Sequence, residues 1–337
     1  MTRVAINGFG RIGRNAFKLA FARPDLKVVA INDLTDTKTL AYLLKHDTNY
    51  GAYRKTVEYD ESHLIVDGHK IKVTAEKDPA MLPWKKLDID VVIESTGRFV
   101  KGEDASLHIK AGSKKVVISA PAKGDDSMVA THVISVNEDS IDVGKHNIFS
   151  NASCTTNCIT PVAAIIEEAF GIEKAMMTTV HSYTASQVVQ DAPAKDLREG
   201  RNAAENIVPT STGATIAAAK ALPALEGVFQ GLSIRVPTPV VSLSDFTFLT
   251  KKNTSVEEVN EAIKKAAKKD RFHHVLSWTE EELVSSDFIG DPHSSIVDIK
   301  LTNVVGGNMV KVVAWYDNEW GYSNRLVELV SLVGKKL

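Results

Sequence analysis

The feature that most constrains this 337-residue chain is Gly8-Phe9-Gly10-Arg11-Ile12-Gly13, a G-x-G-x-x-G pattern that directly follows the continuous apolar run RVAING at 3–8. A glycine-rich turn alone is a weak signal, because such turns also serve purely structural ends. Here it opens RIGRNAFKLAFARPD, in which Ile12, Ala16, Leu19 and Ala20 recur at helical spacing. Between a strand and a helix, Gly8 permits the tight turn, Gly10 admits a pyrophosphate, and Gly13 allows close helix packing. Unpaired amides at the helix start attract phosphate. A second apolar run, KVVAIND at 27–33, ends on Asp33, 20 residues after Gly13. A carboxylate there accepts hydrogen bonds from an adenine ribose and repels a 2′-phosphate, so it selects NAD over NADP. Asp33 also fits a turn or cap in NDLTD, but strand, loop, helix and acid together favour cofactor binding.

The runs DVVIESTG at 90–97 and KKVVISAP at 114–121 repeat the pattern of strands buried on both faces. HLIVDGHKIKV at 63–73 reads instead as a hairpin turning at Asp67-Gly68. Beyond about residue 150 the strands AMMTTVHSYT, GLSIRVPTP, SLSDFTFLT, SSIVDIKLT and MVKVVAWYD alternate more and stand between long helical stretches, which suggests a largely antiparallel sheet with helices. In VEEVNEAIKKAAKKD, Ser255 and Glu258 form a capping box, while Val256, Val259, Ile263 and Ala266 share a face. The fold class is therefore α/β: a Rossmann dinucleotide-binding domain over 1–151 and an α+β second domain with a largely antiparallel sheet over 152–318. The last helical pattern, SNRLVELVSLVG at 323–334, lies in a terminal segment of about 319–337 that is long enough to pack back on the first domain.

Composition narrows the function. Lys and Arg total 40 against 42 Asp and Glu, a net charge of −2, so no global field recruits nucleic acid or an anionic membrane. No run of 18 apolar residues offers a membrane span, and the first residues run straight into a strand without a signal core. The 2 cysteines, Cys154 and Cys158, cannot build a disulfide framework and lack the companions a zinc site requires. A cytoplasmic protein without a structural metal is expected.

The most unusual stretch is SNASCTTNC at 150–158, polar residues and a cysteine directly before the helical run PVAAIIEEAFG. At a helix start, unpaired amides stabilise a thiolate, which predicts a lowered pKa and a nucleophile at Cys154. If the helix starts there, Pro161 falls inside it, so the helix is expected to kink or to begin later. By composition alone an inert, packed Cys154 is the ordinary reading. His181, in TTVHSYT near a strand end, offers an imidazole, but spacing does not choose between a base and a satisfied core histidine. Cys158, one helical turn on, reads as structural.

Taken together, SNASCTTNC, INGFGRIGR, TVHSYT, PTSTGA, RVPTP and WYDNEWGYSNR resemble glyceraldehyde-3-phosphate dehydrogenase over essentially the whole chain and in the family's order. The resemblance implies a cytoplasmic, glycolytic and gluconeogenic homotetramer, each subunit with an NAD-binding Rossmann domain and a catalytic domain. It implies oxidation of glyceraldehyde 3-phosphate to 1,3-bisphosphoglycerate, with Cys154 as nucleophile, His181 as base, and inorganic phosphate attacking a cysteine thioester. By the same resemblance Thr184 and Arg235 serve the substrate phosphate, and Ser153, Thr155, Thr212 and Gly213 bind the attacking phosphate. Read without it, TSTG fits a helix cap and Arg235 a buried ion-pair partner. The family further places Arg11 and Ile12 at the pyrophosphate, Lys77 near adenine, Thr96 and Ser119 along the nicotinamide half, and Asn318 on the nicotinamide carboxamide. The stretch from about 182 to 206 resembles the loop that lines a neighbour's cofactor site in the tetramer.

That loop departs from the family pattern. Many bacterial members carry Arg-Arg-Ala-Arg where this chain has Arg198-Glu199-Gly200-Arg201, which leaves open which arginine supports the attacking phosphate. Ala192 precedes Pro193 where NAD-selective members carry leucine, so the strictness of cofactor choice is open too. Two rivals stand beside the main reading. Erythrose-4-phosphate dehydrogenase shares the fold but tends to lack the counterparts of Thr184 and Thr212-Gly213. A catalytically silent Rossmann interaction module would retain the residues without turnover, and no basic patch with interleaved aromatics supports it.

Overall fold

The computed structural model describes residues 1–124 and 127–337. They form two compact units, one of 1–132, 138–152 and 323–337, the other of 133–137 and 153–322.

The first unit opens with β1 (Thr2–Asn7), α1 (Arg11–Phe21), β2 (Leu26–Asn32) and α2 (Thr37–Lys45). There follow β3 (Val57–Asp60), β4 (His63–Val66), β5 (His69–Thr74), β6 (Val91–Glu94), α3 (Gly102–Lys110), β7 (Lys115–Ile118), β8 (Val129–Thr131) and β9 (Ile148–Ser150). Nine strands make one sheet in the order β3-β4-β5-β2-β1-β6-β7-β9-β8. The run from β5 to β8 is parallel, and the antiparallel hairpin of β4 and β5 turns at Asp67-Gly68, where both residues have positive φ. Because β2 and β6 flank β1, the chain winds both ways from that strand, and the carboxyl ends of β1 and β6 mark the switch point where such sheets hold ligands. The strands β6, β7 and β9 are buried along their whole length, as their largely apolar runs predict, and this burial takes in Glu94, Lys115 and Ser150.

The second unit begins with α4 (Cys154–Phe170), β10 (Ile172–Ser182), β11 (Val208–Thr210), α5 (Ala214–Ala221), β12 (Phe229–Val236) and β13 (Ser242–Thr250). It continues with α6 (Val256–Ala267), β14 (Leu276–Thr279), β15 (Ser295–Asp298), β16 (Asn303–Val305) and β17 (Met309–Tyr316). The sheet runs β11-β12-β10-β13-β17-β15-β14, with β16 on β17, and is antiparallel except where β10 meets β12 and β14 meets β15. Helices α4, α5 and α6 cover a core that includes Ile159, Val162, Ile166, Phe246, Phe248 and Val312. The capping box of Ser255 and Glu258 starts α6, with Val259, Ile263 and Ala266 buried.

Of the two outcomes expected from Pro161, a kink or a later start, helix α4 does not take the later start. It begins at Cys154 and runs through Pro161 to Phe170, and Gly171 ends it at φ +70°. Proline costs the backbone bond to Asn157, yet residues 155–166 are all buried, and that burial outweighs one lost bond. The last helix, α7 (Trp320–Lys335), contributes residues from Ser323 onward to the first unit. There Ser331 donates to Asp25 at 2.5 Å, and Arg23 pairs with the same carboxylate at 3.0 Å.

Candidate functional site

In the second unit the start of α4 and the end of β10 bring two reactive groups together. Ser153 caps the helix by accepting from the Thr156 amide at 3.0 Å, which puts Cys154 on its first residue. His181 lies at the buried end of β10, and its Nε2 is 3.4 Å from Cys154 Sγ. Parallel pairing sets His181 opposite Arg235 on β12. The other ring nitrogen, Nδ1, lies 2.7 Å from the Ser182 carbonyl and 2.5 Å from Arg235 Nη1. Tyr316 of β17 packs edge-on against the ring, its hydroxyl bonded to Thr179 at 2.8 Å and to Thr155 at 3.0 Å.

The electrostatics correct the expected low pKa of Cys154. Enclosure by protein pushes its thiol up, and the opposing pull of the Arg235 charge and of hydrogen bonds at Thr155 and Cys154 does not overcome it. Helix-start amides act locally, whereas desolvation depends on everything packed around the sulfur. His181 is driven the other way, down to about 3, first by burial and then by the Arg235 charge. The pair therefore rests as a thiol facing a neutral imidazole. Cys158, deeper in the same helix, sits in the core and has its thiol pushed up to about 12 by burial.

The surrounding hydroxyls are partly committed. Ser153 holds the cap, and Thr155, 5% exposed, turns its hydroxyl to Tyr316. Thr212 accepts from the Ala214 amide at 3.2 Å where α5 begins, and Gly213 precedes that helix. The Thr156 hydroxyl donates to Ala214 O at 3.3 Å, so the two helix starts adjoin. Thr184, two residues beyond β10, shares Gln187 and Ser186 as partners. Asn318 is buried, and its Oδ1 accepts from Ser182 and Ser242 at 2.9 and 3.2 Å, which directs its Nδ2 elsewhere. Arg201 pairs with Asp191 at 2.9 Å on the surface, whereas Arg198 has its amide bonded to Asp196 and its carbonyl to the Arg201 amide.

In the first unit a cleft of about 440 Å³ opens at the ends of β1 and β6, lined among others by Gly8, Gly10, Asp33, Lys77 and Thr96. Gly8 has φ +91°, and a Cβ on it would stand 2.7 Å from the Thr96 amide. A Cβ on Gly13 would fall 2.1 Å from Gly8 O, while one on Gly10 meets nothing within 4 Å. The loop is thus closed where it packs and open where a ligand approaches. Asp33 accepts from the Phe9 and Thr35 amides at 2.8 and 3.0 Å, one per oxygen, and each oxygen keeps a lone pair for a ribose hydroxyl. The turn role therefore leaves both oxygens able to accept a further bond. Arg11 spends its guanidinium on Asp47 at 2.7 Å, so its amide and that of Ile12 are the groups a pyrophosphate would meet. Ser119 follows β7 and does not line this cleft. These residues fit a dinucleotide.

Sequence reasoning missed the floor of the cleft. Glu94 accepts from the Asn7 side chain at 2.6 Å, from His108 Nε2 at 2.9 Å, and from the Thr96 amide and hydroxyl at 2.9 and 2.5 Å. The Trp84 indole donates to His108 Nδ1 at 3.0 Å, so the histidine proton sits on Nε2, toward Glu94. Glu94 stands in the apolar run DVVIESTG, and a charge in such a run was the available signal. Tyr316 was missed as well, and nothing local in WYDNEWGY distinguishes it. Among the described residues no group of three or more His, Cys, Asp or Glu is placed to hold a metal ion, and no helix is long and apolar enough to cross a membrane.

Two family models match. Residues 2–102 match the NAD binding domain of glyceraldehyde 3-phosphate dehydrogenase, and residues 153–318 match its C-terminal domain. Among similar curated proteins, glyceraldehyde-3-phosphate dehydrogenase of Geobacillus stearothermophilus is 52% identical over 99% of this chain and 98% of its own length. That of Thermotoga maritima is 54% identical over 99% of this chain and 100% of its own. Glyceraldehyde-3-phosphate dehydrogenase 1 of Bacillus subtilis is 51% identical, with 99% and 98% covered.

Proposed function

The chain belongs to the glyceraldehyde-3-phosphate dehydrogenase family, and from that premise we propose that Cys154 and His181 carry the oxidation of glyceraldehyde 3-phosphate to 1,3-bisphosphoglycerate. It is an NAD-dependent oxidoreductase of glycolysis. The observation that carries the residue assignment is the 3.4 Å approach of His181 Nε2 to Cys154 Sγ.

The resting states of the pair define the proton's path. A neutral imidazole takes the thiol proton as sulfur adds to the aldehyde carbon. It returns that proton to the new oxyanion, giving a thiohemiacetal. It takes the proton again when the hydride leaves and a thioester remains on Cys154. Bound NAD supplies the hydride acceptor, held by the amides of Arg11 and Ile12, by Asp33 at the ribose, and by Lys77, Thr96, Ser119 and Asn318 farther along. The Cys154 amide at the helix start and the protonated His181 stabilise the oxyanion.

Inorganic phosphate then attacks the thioester and releases the acyl phosphate. Its site comprises Ser153, the Thr155 amide, Thr212 and Gly213, on the two adjoining helix starts, where backbone N–H groups hold an anion that must also depart. Thr184 and Arg235 hold the phosphate of the substrate. The protein is a homotetramer, a reading supported by Val189, Leu197 and Ile207, which are 78%, 84% and 72% exposed within or beside the irregular segment between β10 and β11. With both cysteines free, it works in the cytoplasm.

The test is NADH formation from glyceraldehyde 3-phosphate with and without inorganic phosphate, with NADP in a parallel arm. Strong phosphate dependence with NAD is expected. Turnover indifferent to phosphate would move the reading to hydrolytic release, as in the erythrose-4-phosphate relative, and no turnover would favour a silent module.

A further inference from the structure

The floor of the cleft in the first unit carries a charge that nothing beside it neutralises. Glu94, the last residue of β6, is 1% exposed and accepts four hydrogen bonds. The direction of each is fixed from the far side of its donor. The Glu76 amide can only donate to Asn32 Oδ1, which turns Asn32 Nδ2 to Asn7 Oδ1 at 2.7 Å and so turns Asn7 Nδ2 to Glu94. The Trp84 indole occupies His108 Nδ1, which leaves a neutral ring with its proton on Nε2, toward Glu94. The Arg98 amide donates to the Thr96 hydroxyl at 3.1 Å, and that hydroxyl gives its own hydrogen to Glu94. Four donors converge on a carboxylate, and none of them is a cation. A full negative charge therefore stands in the interior, satisfied in hydrogen bonds but not neutralised.

Strand β6 lies on the opposite side of β1 from β2. A dinucleotide on such a sheet straddles the central strand, with one nucleoside over each flank. Asp33, just past the end of β2, marks the adenosine side, so the nicotinamide side passes over the end of β6, where Glu94 stands. Oxidised NAD and NADH share their adenosine and pyrophosphate. They differ in that the oxidised nicotinamide ring is a cation and the reduced ring is neutral. A buried negative charge beneath that side attracts the first and not the second. The other charged residues lining the cleft, Asp33, Glu76, Lys77 and Arg98, are half-buried or exposed, where water and salt screen them. Glu94 is enclosed by protein, so its field reaches the cleft with less loss.

We propose that Glu94 is a specificity-determining residue that discriminates the oxidised cofactor from the reduced one. It strengthens binding of the cationic ring, and that attraction vanishes when the ring accepts a hydride and becomes neutral. The product cofactor is thus held less tightly than the reactant. The inference rests on the reading of this cleft as the NAD site. A unit charge acting through protein of intermediate polarity changes the ratio of the two affinities by about three- to tenfold. Holding Thr96 is a separate task of the same carboxylate, and it acts on both forms of the cofactor alike.

The experiment is calorimetric titration of cofactor-free protein with oxidised NAD, with NADH and with ADP-ribose, which lacks the nicotinamide. A melting curve accompanies each variant. Glu94→Gln removes the charge and nearly keeps the shape, and its preference for oxidised NAD over NADH is expected to fall by about three- to tenfold, with ADP-ribose following NADH. If Glu94 only shapes the cleft, all three ligands weaken by one factor and the ratio stays at its wild-type value, which overturns the proposal. Glu94→Asp keeps the charge, so its ratio is expected to remain near wild type even as both affinities fall. Should Glu94→Gln fail to fold, the ratio in Glu94→Asp still decides, and its loss there overturns the proposal. Failure of all three ligands to bind the wild type would refute the cleft as the NAD site and the proposal with it, an outcome distinct from an unchanged ratio.

Discussion

Cys154 Sγ and His181 Nε2 lie 3.4 Å apart although 27 residues separate them in the chain. One group is the first residue of a helix and the other is near the end of a strand, so each is fixed by an element with its own reasons to form.

Removing either partner should stop the chemistry and spare the cofactor. Cys154→Ala is expected to abolish NADH formation, and His181→Asn to lower kcat by roughly 10²–10⁴-fold, the usual contribution of a general base. Calorimetric titration with NAD should give wild-type affinity in both, because neither side chain lines the cleft at β1 and β6. Wild-type turnover in Cys154→Ala would sink the mechanism.

Cofactor choice should rest on Asp33. Asp33→Ala removes two acceptors for ribose hydroxyls and the repulsion of a 2′-phosphate, and is expected to weaken NAD by roughly ten- to a hundredfold, as loss of charged hydrogen bonds does. Use of NADP should rise. Because Asp33 also holds the Phe9 and Thr35 amides, a melting curve should accompany the kinetics. An unaltered NADP to NAD ratio in a folded variant would refute the ribose assignment.

The buried imidazole sets a pH dependence of stability. His181 takes up a proton near 6.5 when unfolded but only at about 3 when folded, so between those values the unfolded state binds more protons. Stability attributable to this residue is therefore unchanged above about pH 6.5 and falls as pH drops toward 3, by up to about 1.4 kcal/mol per pH unit. Urea midpoints of wild type and His181→Asn, compared from pH 7 to pH 4.5, should converge as pH falls. Parallel curves would contradict the buried neutral ring.

The floor of the cleft should behave as a unit. His108→Ala leaves the Trp84 indole N–H buried without its acceptor, takes one of four donors from Glu94, and opens a cavity beside α3. A loss of about 3 kcal/mol is expected, from an orphaned donor and lost packing. Since Glu94 holds both polar groups of Thr96, NAD affinity should fall too, measurable by NADH fluorescence. Full affinity in a destabilised variant would show that Thr96 is held by other means.

Much of the fold was legible because its signals are local. The glycine spacing at Gly8, Gly10 and Gly13, the apolar runs of β1, β2, β6 and β7, and the turn at Asp67-Gly68 each depend on a few adjacent residues. The site was legible only in part. Cys154 and His181 were assigned their roles by the family resemblance, not by residue type or spacing, and their contact is made by tertiary folding that no spacing encodes. The raised thiol of Cys154 was misjudged for the same reason, since the helix start is local and enclosure is not. The continuity of α4 through Pro161 reflects burial on all sides overriding a backbone preference. The commitments of Arg11 to Asp47, of Thr155 to Tyr316 and of Arg235 to His181 depend on elements 36 to 161 residues away.

The parallel pairing of β10 with β12 has a consequence for how the molecule acquires activity. His181 and Arg235 meet only when strands 54 residues apart are laid side by side, and closing so long a loop costs entropy before any contact rewards it. The turns of α4 need no such closure. During refolding the helical signal should therefore recover ahead of the contact between β10 and β12, and a newly made chain passes through a stage in which His181 exists without Arg235 beside it.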